Sequence, residues 1–293
     1  MHIPVLLQEV VEGLQAKAGE VILDATVGGG GHSEALCRAM GESGTILCLD
    51  EDEEAIERSQ KRLKGCGCQF IFQRSNFRHL DTVLASLGIG KVDRALFDLG
   101  FSSFQLDESN RGFSFQKDEP LFMTFRKNGA SLNAETIVNE WGEETLRTII
   151  FGYADERYAK RIAQAIARAR EHKRITTSKE LADIIVLAIP RRGKIHPATK
   201  TFQALRIAVN DEFRALEEML PKAFAHLSQA GRVAVISFHS MEDRLVKRFF
   251  KELATEGKGH IITKKPIVPS EEEVKRNPRS RSAKLRIIER IIS

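Results

Sequence analysis

The chain has 293 residues, 42% hydrophobic and 29% charged, which suffices for one large domain or two moderate ones, each with a core. No run approaches the roughly 20 apolar residues of a membrane span, and the N-terminus lacks a charged-then-apolar signal pattern; the expectation is a soluble, cytoplasmic protein with no membrane partner. A net charge of +5 is too small to name a partner by itself, and none of the four cysteines or the histidines has metal-ligand spacing, so no metal is expected.

Apolar runs at 21–25, 45–50, 69–73 and 94–99 read as buried strands, and 33–40, 52–64 and 79–87 between them as helices. Such alternation predicts a parallel sheet with helices on both faces. Cys37 and Cys48 fall in apolar segments and read as core residues. Cys66 and Cys68 flank Gly67 and read as free thiols in a turn.

The first strand runs into Asp24, then into Gly28-Gly29-Gly30-Gly31-His32 and a helix. A strand, a glycine loop and a helix bring unshielded backbone N–H groups against a ligand at a helix N-terminus. The plain alternative is a flexible turn. Gly28 and Gly30 fit the dinucleotide pattern G-x-G-x-x-G, but Ser33 stands at the third glycine position. Asp50 ends the second strand 22 residues after Gly28, the place of a carboxylate that accepts hydrogen bonds from ribose hydroxyls. Asp24 beside the loop would repel a pyrophosphate but suits a sulfonium or an α-amino group. The residues therefore favour S-adenosylmethionine (SAM) over NAD, and an NAD-dependent oxidoreductase is the weaker alternative.

Asp98 ends the fourth strand in Phe97-Asp98-Leu99-Gly100-Phe101-Ser102-Ser103, at the edge where open α/β sheets bind ligands. It can bind the cofactor's amino group or handle the proton of an amine acceptor, so it is both a candidate cofactor ligand and a candidate catalytic residue. Residues 104–130 then lose periodicity. Phe101, Phe104, Phe113 and Phe115, in the irregular stretch after Asp98, can either stack on an extruded base or anchor the loop. Residues 131–189 read almost wholly as helix, with starts at Ser131, Glu143 or Glu144, Asp155 and Ser178, and end at Ile189-Pro190. Along 155–170 an apolar face (Tyr158, Ile162, Ala165, Ile166, Ala169) opposes a polar one (Arg157, Arg161, Gln164, Arg168).

Residues 201–228 read as a long helix or a pair broken near Pro221, 231–238 as a buried strand and 241–254 as an amphipathic helix. The turn Ser237-Phe238-His239-Ser240 lacks the G-x-S-x-G elbow of a hydrolase, so His239 reads as a capping or ligand-facing group. Residues 260–263 and 285–291 form a terminal hairpin joined by a long basic loop. From Lys258 onward ten Lys and Arg stand against four Glu, and Arg191, Arg192, Lys194 and Lys200 form a second cluster; both can neutralise phosphates or be ordinary solvated surface. The simplest organisation is an α/β domain of 1–104 and 201–293 with a helical insertion at 105–200. Beginning beyond the fourth strand, the insertion would overhang the cofactor and shape a site for a bulky substrate.

Several of these segments together resemble one family, the bacterial 16S ribosomal RNA (cytosine-N4)-methyltransferases. They are His2-Ile-Pro-Val-Leu-Leu7, Gly28 to Ser33, Asp98 to Ser103, Arg111-Gly-Phe-Ser-Phe115, Glu156 to Ile162, His196 to Arg206, Ser237 to Lys247 and Asn277 to Ser282. The resemblance implies a class I SAM-methyltransferase fold: a Rossmann-like parallel sheet with a terminal antiparallel strand, plus a helical substrate-recognition insertion. It implies SAM as cofactor, 16S rRNA or the small ribosomal subunit as partner, and N4 of a decoding-centre cytidine as methyl acceptor. By the same resemblance Gly30, Gly31 and His32 match the SAM loop, Asp50 the ribose acid and Phe77 a residue at the adenine edge, while Asp98 and Gln105 match further SAM contacts. Oligomeric state is left open, a homodimer among the options. One departure stands out. After Pro120 the family usually reads Leu-Asp-Met-Arg-Met, whereas this chain has Leu121-Phe122-Met123-Thr124-Phe125. That keeps a third reading, a non-catalytic SAM-binding factor of rRNA or ribosome assembly, in play.

Overall fold

A computed structural model describes residues 3–100, 103–107, 109–126, 132–189 and 195–291, without the side chains of Ser103 and Asp107. The sequence readings on His2, Phe101, Ser102, Ser131, Pro190, Arg191, Arg192 and Lys194, and on the Ser103 side chain, lie outside what is described. The chain divides into two units, residues 1–100 with 213–293 and residues 101–212.

The first unit begins with helix α1 (Leu7–Leu14) and continues through β1 (Val21–Asp24), α2 (Gly31–Ala39), β2 (Thr45–Asp50), α3 (Glu53–Leu63), β3 (Gln69–Arg74), α4 (Leu80–Ser86) and β4 (Val92–Asp98). A 3-10 turn at Phe77–His79 leads into α4. The strands lie in the order β3-β2-β1-β4, all parallel, as the alternation predicts. Successive strand residues enter opposite cores. Leu23, Leu47, Phe97 and Val235 pack on one face, and Ile22, Ile46, Leu96 and Ile236 on the other.

The second unit holds α5 (Ser103–Asp107), α6 (Ala134–Glu140), α7 (Glu143–Ala154), α8 (Ala159–His172), α9 (Ser178–Ala188) and α10 (Thr199–Asn210). Its own core gathers Ile137, Val138, Leu146, Ile150, Ile162, Ile166, Leu181, Ile185 and Leu205. Within 109–126 the chain is irregular, and Phe113 and Phe115 act there as anchors. Phe113 stacks on Phe125 with ring centroids 5.8 Å apart, and Phe115 stacks on His196 at 4.4 Å.

The chain then returns to the first unit with α11 (Glu212–Ala225), β5 (Leu227–Ser237), α12 (Ser240–Thr255), β6 (Gly259–Ile261), α13 (Glu271–Arg276) and β7 (Lys284–Arg290). β5 extends the parallel sheet beside β4, and β7 and β6 complete the order β4-β5-β7-β6 in antiparallel pairing. Among the described residues no helix is long and apolar enough to cross a membrane.

Four sequence readings are corrected. The helices α10 and α11 break at Asp211, which takes a left-handed φ of 51°, and Pro221 sits inside α11. The unit boundary moves from 200 to 212 because α10 packs on α6 and α7. The linker between β6 and β7 is not one long loop: it carries α13 and a 3-10 turn at Pro278–Ser282. Cys68 is no free thiol but is paired with Cys37 as a disulfide, with Cα atoms 5.9 Å apart; Cys48 and Cys66 are free.

Candidate active site

The strand order reverses between β1 and β4, so their C-terminal ends open a crevice at a topological switch point. Asp24 ends β1 and Asp98 ends β4, while Asp50 ends the neighbouring β2. The fold thus collects at one sheet edge three acids that are far apart in sequence.

Backbone geometry fixes the loop after β1. Gly28 and Gly30 have φ of 52° and 75°, in the region that favours glycine. A Cβ on Gly30 would lie 3.3 Å from the Ser59 Cα, and one on Gly31 only 2.3 Å from Cγ of Pro4. A Cβ on Gly29 would meet nothing within 4 Å. Gly30 and Gly31 are therefore demanded by the protein's own packing, while Gly29 is the open face of the loop.

Each acid has its own supports. Ser33 Oγ donates to Asp24 Oδ2 at 2.6 Å, and the Thr26 amide to Oδ1 at 3.3 Å. The amides of Gly28 and Asp52 donate to the two Asp50 oxygens at 3.0 and 2.9 Å. The Asp98 amide donates to Thr26 Oγ1 at 2.7 Å, which ties the ends of β4 and β1 together. The Asp98 carboxyl is less well served: its Oδ1 is buried with no hydrogen-bond partner among the described residues.

Burial dominates the electrostatics. It pushes Asp24 up to about 6 against the lowering effect of Ser33 and Thr26. It pushes Asp50 up to about 6 as well, opposed by the Asp52 and Gly28 amides and assisted by the charges of Asp52 and Asp24. Asp98 goes up to about 8, through burial first and then the charges of Asp24 and Glu242. Carboxylates held this way gain most from a cation or hydrogen-bond donors brought by a ligand.

His32 and Phe77 complete the edge. The His32 Nε2 donates to the Val5 carbonyl oxygen at 3.0 Å, and its Nδ1 lies 3.8 Å from Asp98 Oδ2. Phe77 follows β3 and packs edge-on against Phe97 at 6.1 Å. Gln105 is buried on α5 in the second unit. Among the described residues no group of three or more His, Cys, Asp or Glu is placed to hold a metal ion.

Sequence reasoning missed four contributors. Thr26 and Ser33 support the acids, although Ser33 had been weighed only as a missing glycine. Asn76 caps the 3-10 turn through Arg78 N and also donates to Glu51 at 2.8 Å. Glu242 is buried, accepts the amides of Phe238 and His239, and raises Asp98. The legible signal for Glu242 was His239-Ser-Met-Glu242, a capping box with His at the N-cap. The N-terminal segment was legible only as a resemblance. Its Pro4 and Val5 brace Gly31 and His32, Glu273 of α13 accepts the Leu6 amide at 2.8 Å, and Asn277 donates to the Ile3 carbonyl at 3.2 Å.

The donor set fits SAM. Acids at the ends of β1 and β4 suit its cationic methionine portion, Asp50 suits its ribose hydroxyls, and an open glycine loop lies between them. Comparison with known proteins agrees. A protein named ribosomal RNA small subunit methyltransferase H from Heliobacterium modesticaldum is 47% identical over 309 residues, covering 99% of this chain and 98% of its own. The protein of that name from Carboxydothermus hydrogenoformans is 47% identical over 313 residues, with the same coverage. A crystallised candidate rRNA-methylase of Clostridium thermocellum shares the fold at a TM-score of 0.50 and 13% identity, covering 99% of this chain and 100% of that one. The model of the MraW methylase family matches residues 1–291, and this chain is a member of that family, a SAM-dependent methyltransferase.

Proposed function

We propose that the protein transfers the methyl group of SAM to N4 of a cytidine in small-subunit ribosomal RNA, in the cytoplasm, with the helical unit contributing to substrate recognition. The observation that carries the reading is the trio of acids at the switch point, Asp24 buried and Asp50 and Asp98 half-buried, inside a chain that matches its family over nearly its whole length. The names of the relatives support rRNA as the substrate class.

SAM supplies an electrophilic methyl group already activated by its sulfonium. The protein's work is then mostly alignment. Asp24 and Asp98 hold the cationic methionine portion, with Gly30, Gly31 and His32 alongside. Asp50 holds the ribose, and Phe77 borders the base of the cofactor. The N4 amine of cytosine is a weak nucleophile because its lone pair is delocalised into the ring. An acceptor aimed at N4–H raises its electron density and must eventually take or pass on a proton. Asp98, ionised while it holds the cationic donor, suits that second task, since a carboxylate pushed by burial to about 8 is a stronger base than an ordinary one and keeps the proton it takes at neutral pH. His32 fixes the surroundings of Asp98 through its bond to Val5, and Thr26 fixes the Asp98 backbone.

The changed residues Phe122 and Thr124 do not undermine this reading. Their loop is held largely through backbone groups: Arg111 donates to the carbonyls of Thr124 and Phe125 at 3.2 and 2.6 Å. Asn210 donates to the Met123 carbonyl at 2.8 Å and accepts the Phe125 amide at 2.9 Å. The test is methyl transfer from radiolabelled SAM to small subunits of a strain lacking its own enzyme, followed by nucleoside analysis. Label in N4-methylcytidine is expected. Intact SAM binding without label would support a non-catalytic factor instead.

A further inference from the structure

Helices α8 and α9 enclose a surface groove of about 560 Å³, within the range of small-ligand sites. One wall is Arg161, Gln164 and Arg168 of α8, spaced to lie on one helix face; the other is Ile184, Leu187 and Ala188 of α9. The lining contains two guanidinium groups and no carboxylate. Leu187 is 87% exposed, a large apolar side chain offered to solvent beside two cations.

Two other exposed arginines of the same unit are neutralised by neighbours. Arg147 pairs with Glu144 at 2.8 Å, and Arg174 with Glu135 at 2.7 Å and Glu140 at 3.2 Å. Among the described residues Arg161 and Arg168 meet no carboxylate, and Arg168 contacts only the Gln164 carbonyl, at 3.3 Å. Their charge is left for a partner. The two sit two helical turns apart, about 10 Å along the axis.

We propose that this groove is a binding subsite for an unpaired nucleotide of the RNA substrate. The base lies against the alkyl wall of α9 and stacks under a guanidinium plane, phosphates on either side meet Arg161 and Arg168, and the Gln164 amide reads a base edge. Alkyl surface, planar cations and one two-way hydrogen-bonding group are the chemistry that single-stranded RNA recognition uses. A groove of about 560 Å³ has room for a nucleoside, and the uncompensated positive charge favours a polyanion. The inference rests on the rRNA reading above.

The experiment compares the wild type, R161Q/R168Q and L187S in filter binding to small-subunit rRNA from a strain lacking the endogenous enzyme, between 50 and 300 mM salt. SAM affinity and sedimentation are measured on the same samples. The double variant should bind rRNA at least about tenfold more weakly, with the log–log salt slope smaller by about 1.5. L187S should weaken binding by about fivefold with the slope unchanged. Both should keep wild-type SAM affinity, which shows that they fold. Wild-type rRNA binding by both variants would overturn the subsite. Unchanged RNA binding with a shift in sedimentation for L187S would make the groove a self-association face and also overturn it. A wild type that fails to bind rRNA at all would overturn the substrate reading itself, and the subsite with it.

Discussion

The hydroxyl of Ser33 donates to Oδ2 of Asp24 over 2.6 Å, and both residues are fully or almost fully buried. A glycine in place of Ser33 would complete a dinucleotide fingerprint, but the structure uses the serine to support Asp24 at the C-terminal end of β1. Ser33→Ala leaves a buried carboxyl without its shortest hydrogen bond, which costs roughly 1–3 kcal/mol. Chemical denaturation at pH 7 should show that loss, and SAM affinity should fall as Asp24 becomes harder to ionise. Ser33→Gly should not confer NAD binding.

The glycine loop separates structural from ligand-facing demands. Gly31→Ala drives a methyl group to 2.3 Å from Pro4, a clash that a rigid ring relieves only by moving the N-terminal segment. It should lower stability by about 1–3 kcal/mol, the usual cost of overpacking. Gly29→Ala meets nothing within 4 Å and should leave the melting temperature of the ligand-free protein within a degree or two of wild type. A fall in SAM affinity for Gly29→Ala alone would mark that position as the closest approach of backbone to ligand.

Asp98 should make the ligand-free protein less stable as pH rises. Its folded-state value is raised to about 8 from an ordinary value near 4, so between those values the native state holds a proton that the unfolded state has lost. Stability therefore falls from about pH 4 to pH 8 and levels off above. Asp98→Asn removes that dependence: the variant should melt higher than wild type at pH 8, and the gap should narrow toward pH 4. Thermal melts across this range check the sign. The expected result is a site that sacrifices stability for function.

Much of the first unit was legible because its strands are continuous apolar runs ending at Asp24, Asp50 and Asp98, which is how a sheet covered on both faces reads. Those ends also place the three acids at one sheet edge. The helix α1 escaped notice, as did the burial of Glu242, whose capping pattern with His239 marks a helix start but not how deep the acid will lie. The Cys37–Cys68 pair was illegible because Cys37 of α2 and Cys68, just before β3, lie 31 residues apart and meet only after folding. The break at Asp211 was misplaced to Pro221, because proline is the louder signal in sequence while a left-handed Asp announces nothing. In the second unit Phe113 and Phe115 had two readings that composition does not separate; their stacking on Phe125 and His196 decides for anchoring.

The measurement closest to the central claim is SAM affinity of the wild type and Asp98→Asn from pH 6 to 9 by calorimetry. Titration of the ligand's own amine is common to both proteins, so the ratio of their affinities isolates Asp98. If Asp98 is ionised to hold the cationic donor, the wild type binds more tightly. Its advantage then grows with pH, by up to about tenfold per unit, until it flattens above about pH 8. Equal affinities, or a ratio that does not change with pH, would contradict the account.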